Sequence, residues 1–203
     1  PSAYNINPLT DIQVLCPSKM METGTVNLNN LLQANLNPKK DGQPQMAFKG
    51  FYLRVGDKVM QTKNNYDLQY KKDNGEYGTG VFNGDIGYIT DIDIRGGILK
   101  VRFDDREATY FSEDLSQLEL AYAVTVHKSQ GSEYDYVVIP LMVVPSLLKY
   151  RNLLYTAVTR AKKMLVLVGD EAVWHQMAEN DRKTLRYTLL AEFLREKANY
   201  EFI

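Results

Sequence analysis

The chain has 203 residues, 44% hydrophobic and 24% charged, with 24 Lys and Arg against 25 Asp and Glu. That suffices for one ordinary domain, or one domain with a small insertion, around a real core. No apolar run approaches the roughly 20 residues needed to cross a bilayer, and a pI of about 6.2 does not advertise nucleic-acid binding. The N-terminus, Pro-Ser-Ala-Tyr-Asn, shows neither a basic region nor an apolar stretch, so no secretory signal is visible. The missing initiator methionine suggests a piece of a longer protein. One cysteine, Cys16, excludes an internal disulfide and fits a reducing, cytoplasmic setting. It reads as a small core side chain.

Residues 11–16 predict a short buried strand stopped by Pro17. Val26 to Leu36 follows as a helix, with Thr25 as its cap and Leu28, Leu31, Leu32 and Leu36 on one face. From Asn37 to about Gly50 the chain reads as a loop. Lys58 to Lys63 is strand-like, and Asn64 to Thr79 reads as a polar, mobile, tyrosine-bearing tract. A meander of short strands comes next, with turns at Asn83-Gly84, Arg95-Gly96-Gly97 and Asp104-Asp105-Arg106. Leu99, Val101 and Phe103 fall on one face of it, which suggests a small inserted β-barrel. The helix–strand rhythm then resumes: strands at Leu120 to Val126, Tyr136 to Val144 and Met164 to Val168, and helices from Pro145 to Ala161, Glu171 to Ala178 and Arg182 to Lys197. Buried apolar strands alternating with helices imply a parallel sheet. The expected architecture is an α/β domain interrupted by a barrel.

Two segments carry candidate chemistry. Thr125-Val-His-Lys-Ser-Gln-Gly131 ends a buried strand, at the sheet edge where open α/β folds bind ligands. Thr125 can cap a single helical turn and Gly131 can end it in a left-handed conformation. Thr125, His127 and Ser129 then present donors suited to phosphodiester oxygens, contacts that position a strand without reading it. The same residues also read as a capped loop with a solvated His and Lys. Glu133 is either a ribose acceptor or an exposed acid. Arg160 ends an apolar helix: it reads as a cation favoured by the helix dipole, or as an arginine finger on a γ-phosphate. His127 and His175, with one cysteine, are too few for a metal site. Gly78-x-Gly80 followed by Gly84 has the wrong spacing for a dinucleotide fingerprint.

Taken together, Ile12 to Pro17, Val55 to Tyr66, Val81 to Gly87, Thr125 to Glu133 and Leu154 to Arg160 resemble the C-terminal part of RecD-like, 5′-to-3′ superfamily 1 DNA helicases. The resemblance covers nearly the whole chain. It implies a RecA-like parallel sheet with helices on both faces, formed by residues 1–54 and 119–203. Residues 55–118 would hold a barrel of the Src-homology-3 type. It further implies single-stranded DNA contacts at Thr125, His127 and Ser129, and less directly at Lys63, Asn64 and Asn65. Gly131 and Glu133 would border the nucleotide, and Arg160 would contact its γ-phosphate. The chain has no Gly-Lys pair, hence no phosphate-cradling P-loop. ATP and Mg²⁺ would be held mainly by an N-terminal RecA-like domain of the parent, and helicase–nuclease subunits are conceivable partners. A non-catalytic nucleic-acid-binding or docking module, or an RNA helicase fragment, are the alternatives.

Overall fold

The computed structural model describes residues 5–48, 50–181 and 193–195. The first strand, β1 (Ile12–Cys16), stops at Pro17 and leads into α1 (Thr25–Leu36). Thr25 does not cap this helix. Gly24 takes the cap position in an extended conformation, and Thr25 is the first helical residue. The expected leucine face is also corrected: the buried stripe is Thr25, Asn29 and Gln33, spaced four apart on one face. Leu31 is exposed, and Leu32 and Leu36 are only partly buried. Apolar periodicity misleads here because the buried amides find backbone partners. Asn29 Nδ2 donates to the carbonyls of Leu120 and Ala123 at 3.0 and 2.9 Å, and its Oδ1 accepts from the Ala123 amide at 2.8 Å.

Two tracts expected to be irregular are hairpins. β2 (Gln45–Phe48) pairs with β3 (Phe51–Arg54) in place of the loop. After the wholly buried β4 (Lys58–Gln61), the polar tract forms β5 (Asn65–Lys72) and β6 (Tyr77–Val81). It is ordered by Leu68, which is buried, and by Tyr70, whose ring lies 5.1 Å under the Arg106 guanidinium. β7 (Ile86–Asp93), β8 (Ile98–Phe103) and β9 (Arg106–Tyr110) follow the predicted turns.

The predicted strand from Leu120 to Val126 is two strands in different sheets. β10 (Leu118–Leu120) closes onto β4, whereas β11 (Ala123–Thr125) joins β1. β12 (Tyr134–Leu141) follows. The helix expected from Pro145 is shorter, because Pro145 is extended, Ser146–Leu148 make a 3₁₀ turn and Tyr150 is extended again. Only then does α2 (Arg151–Val158) begin. β13 (Ala161–Gly169) and α3 (Glu171–Glu179) complete the described elements, with the Asp170 carboxylate accepting the Ala172 amide at 2.9 Å as a cap. The final helix predicted over 182–197 lies outside the described residues, apart from the helical 193–195.

The parallel sheet has the order β11-β1-β12-β13, and the antiparallel sheet the order β10-β4-β7-β8-β9-β5-β6. The antiparallel sheet curls around one apolar core, since Leu68 and Val81 at one end of the order share it with Leu118 and Leu120 at the other. Asn65 Nδ2 reaches Gln117 Oε1 at 3.1 Å and helps close it. Leu15, Val137, Ile139, Leu165 and Leu167 of the parallel sheet pack with Leu153 and Ala157 of α2 and Val173 and Met177 of α3. β13, predicted over Met164 to Val168, was expected to be a buried strand. It is an edge strand, and Met164, Val166 and Val168 stay 40–44% exposed. The α/β layout with an interposed antiparallel barrel is the one the sequence predicts. Among the described residues no helix is long and apolar enough to cross a membrane.

Candidate nucleotide and nucleic-acid interface

β11 delivers the chain to the carboxyl edge of the parallel sheet, where the Val126 amide bonds the Cys16 carbonyl at 3.0 Å. The next residues coil into a tight turn. The Lys128 and Ser129 amides donate to the Thr125 carbonyl at 2.9 and 3.2 Å, and Thr125 Oγ1 also accepts from Lys128 N at 3.3 Å. Thr125 therefore caps the turn as predicted. Gly131 ends it at φ +87°, a left-handed conformation that favours glycine, with nothing within 4 Å of where a Cβ would stand.

The side chains of the turn divide. His127 is exposed and Thr125 half-buried. Ser129 is fully buried and its hydroxyl donates to the Val126 carbonyl at 2.8 Å. The expectation that Ser129 offers its hydroxyl outward is thus not met here, because the inward bond satisfies the turn's own backbone. Lys128 Nζ pairs with Glu119 at 2.8 Å, and Lys19 reaches the same carboxylate at 3.1 Å. Burial pushes the Glu119 carboxyl up, but the two lysines outweigh it and the net shift is downward.

Arg160 sits just past α2, whose C-cap is Thr159. Its Nε donates to the Thr156 carbonyl at 3.2 Å, and its Nη1 donates to the Ser132 carbonyl at 3.0 Å. The Tyr134 amide in turn donates to the Arg160 carbonyl at 2.8 Å. The end of α2 is thereby tied to the loop that follows Gly131. A guanidinium carries five N–H donors, so these bonds and a long one to Thr159 Oγ1 at 3.4 Å leave donors for an external oxyanion. Glu133 is exposed and pairs with Lys162 at 3.4 Å, and Lys163 pairs with Asp135 at 2.7 Å.

Lys63 and Asn64 lie on the barrel between β4 and β5, and Asn65 is the first residue of β5. Lys63 is exposed. The asparagines shape the turn: Asn64 Oδ1 accepts the Asn83 amide at 2.9 Å, and Asn65 Oδ1 accepts the Asp67 and Leu68 amides at 3.1 and 3.0 Å. Beside the Asn64 bond stand two aromatics that the sequence motifs do not single out as contacts. Tyr66 and Phe82 pack edge to face with centroids 5.7 Å apart, and both are exposed. In the sequence both stand beside turn residues, Tyr66 after Asn64-Asn65 and Phe82 before Asn83-Gly84. Among the described residues no cluster of three or more His, Cys, Asp or Glu could hold a metal ion.

Comparison with known proteins covers both halves of this site. Residues 28–103 match the family described as the ATP-dependent RecD-like DNA helicase SH3 domain, and residues 120–168 match the UvrD-like helicase C-terminal domain. The chain is 35% identical over 184 residues to the ATP-dependent RecD2 DNA helicase of Deinococcus radiodurans, covering 91% of this chain and 23% of that protein. It is 32% identical over 187 residues to the RecBCD enzyme subunit RecD of Mycolicibacterium smegmatis, covering 92% of this chain and 30% of that protein. It therefore spans less than a third of these relatives' own length. A solved Pif1 helicase from Bacteroides, in complex with ADP-AlF3 and ssDNA, shares the fold at a TM-score of 0.50 and 18% identity, covering 93% of this chain and 45% of that one. The chain belongs to the RecD-like group of superfamily 1 helicases, over the part that carries their SH3 and UvrD-like C-terminal domains.

Proposed function

We propose that this chain is the second motor half of an ATP-dependent DNA helicase, with residues 1–54 and 119–203 as the motor domain and 55–118 as its inserted unit. The observation that carries this reading is the junction of two motifs distant in sequence: Arg160 bonds the Ser132 carbonyl and so stands beside the Gly131–Glu133 loop. One face of that junction would meet nucleotide, and the Thr125–Gly131 turn would meet DNA.

In this reading Thr125 and His127 touch phosphodiester oxygens of single-stranded DNA, while Ser129 holds the turn from inside. Tyr66 and Phe82 offer faces for bases, a sequence-tolerant contact, and Lys63 adds a local charge. Mg²⁺-ATP would be gripped mainly by a RecA-like domain elsewhere in the parent protein, and would supply the phosphoryl chemistry when bound. Arg160 would then aim its free guanidinium donors at the γ-phosphate, with Gly131 and Glu133 at the nucleotide's border. In this reading the parent would serve, like the relative named RecBCD enzyme subunit RecD, as a subunit of a larger enzyme.

Binding of fluorescein-labelled single-stranded DNA to this chain, followed by anisotropy over a salt series, tests the proposal. The expected result is weak binding with a shallow salt slope, two or three contacts at roughly 0.7 each. Thr125→Ala and His127→Ala should weaken all sequences about equally, and the chain alone should not turn over ATP. Loss of binding to one sequence only, or no binding at low salt, would overturn the DNA assignment.

A further inference from the structure

Asp57 is fully buried, and among the described residues no cation pairs with it. Four neutral donors converge on its carboxylate instead. Oδ1 accepts from Asn37 Nδ2 at 2.7 Å and from the Tyr122 hydroxyl at 2.8 Å. Oδ2 accepts from Gln33 Nε2 at 2.6 Å and from the Arg54 amide at 2.8 Å. These donors come from four places: the buried face of α1, the cap that ends it, the last residue of β3, and the link between β10 and β11. Asp57 itself begins the barrel, and its carbonyl accepts the Ile89 amide of β7 at 2.9 Å.

Tyr122 is the last residue before β11, and β11 runs directly into the Thr125–Gly131 turn. The first residue of β11 is also held by Asn29, which bonds both the amide and the carbonyl of Ala123. Asn29, Gln33 and Asn37 recur every four residues, so one polar stripe of α1 clamps both the barrel and the start of β11. Burying a carboxylate without a counter-charge is unfavourable, and the bonds that offset this cost each add little net stability. What a four-donor carboxylate adds is direction, since each bond fixes an angle as well as a contact.

We infer that Asp57 and Tyr122 are positioning residues, which set the Thr125–Gly131 turn in register with the barrel so that one DNA strand meets both. The inference rests on the proposed DNA role for its consequence, though its geometric part stands apart from it. Tyr122→Phe removes one donor and keeps the ring. Amide hydrogen exchange across residues 123–131 and binding of a fluorescent oligo-dT should be measured together, under conditions where wild type and variant are both fully folded. The expected result is faster exchange confined to 123–131, with at least fivefold weaker binding. His127→Ala should then weaken the Tyr122→Phe protein less than it weakens wild type, because the imidazole is already misplaced. Asn37→Ala, at a less buried donor, gives the same readouts should Tyr122→Phe fail to fold. Unchanged exchange at 123–131, or unchanged affinity in a protein that has only lost thermal stability, would overturn the positioning role. Faster exchange in a chain whose wild type does not bind DNA would uphold the geometry and sink the proposed function instead.

Discussion

The barrel and the seam that joins it to the parallel sheet are built from opposite materials. Inside the barrel, Val59, Val81, Leu99, Val101, Ala108 and Leu118 are fully buried and apolar. At the seam, Asn29, Gln33, Asp57 and Lys58 are buried and polar. Apolar burial is strong and non-directional, so it secures the barrel's compactness but not its orientation. Buried hydrogen bonds add little net stability each, yet leaving one unmade is expensive, so they select a single arrangement. A domain that must hold two binding surfaces in register needs the second kind of contact between them.

The largest effect should come from breaking the first material. Leu99→Ala removes a fully buried side chain from the barrel centre, and should lower stability by about 2–5 kcal/mol. Denaturant unfolding will measure it. A loss below about 1 kcal/mol would mean that the site collapses far better than buried leucines usually do.

Lys58 sharpens the comparison from the seam side. Its ammonium is buried against the Ile12 carbonyl at 3.2 Å, and burial lowers its pKa from 10.5 to about 8, with Asp11 opposing. Between those values the unfolded chain binds a proton that the folded chain does not, so Lys58 makes stability rise with pH there. Cys16, pushed by burial from 9.0 to about 12, acts in the opposite sense above pH 9. The clean observable is therefore the difference between wild type and Lys58→Met. It should move in favour of wild type by on the order of 1–2 kcal/mol from pH 8 to 10. A flat difference would show that the ammonium is not desolvated as its setting implies.

A smaller effect is expected at the rim. Glu119 ties up Lys128 beside exposed His127, in pairs open to solvent. Glu119→Gln should change stability by no more than about 1 kcal/mol. Freeing Lys128 should tighten single-stranded DNA binding at low salt and steepen the salt slope by roughly 0.7. Weaker binding in this variant would mean that the turn depends on Glu119 for its shape.

The same contrast explains what the sequence disclosed. β1, the β7–β9 meander and α3 were legible, because alternation, Asn83-Gly84 and the Asp170 cap are local signals. The capped turn ending at Gly131 was legible too, since Thr125 and a left-handed glycine define it within a few residues. The β2–β3 hairpin was missed because its strands are only four residues each, and the β5–β6 hairpin because Asp, Gln, Lys and Gly interrupt its few core residues. The polar stripe of α1 was hidden by its own leucines, and the break between β10 and β11 by a contact 65 residues away, Tyr122 to Asp57. Local chemistry specified the elements and the turn. The seam that orients them is made of long-range pairs that no window of sequence contains.

Arg160, tied to the Ser132 carbonyl beside Gly131, is proposed to complete a nucleotide site shared with another domain. The most direct test is steady-state ATPase on the full-length parent, with saturating single-stranded DNA, for wild type, Arg160→Ala and Arg160→Lys. Nucleotide affinity and melting temperature are measured alongside. Turnover should fall by on the order of 10³-fold in Arg160→Ala with ATP affinity nearly kept. Lysine should recover little, because an ammonium lacks the planar fork. A stable Arg160→Ala protein that retains turnover would contradict the account and leave Arg160 as a structural cap on α2.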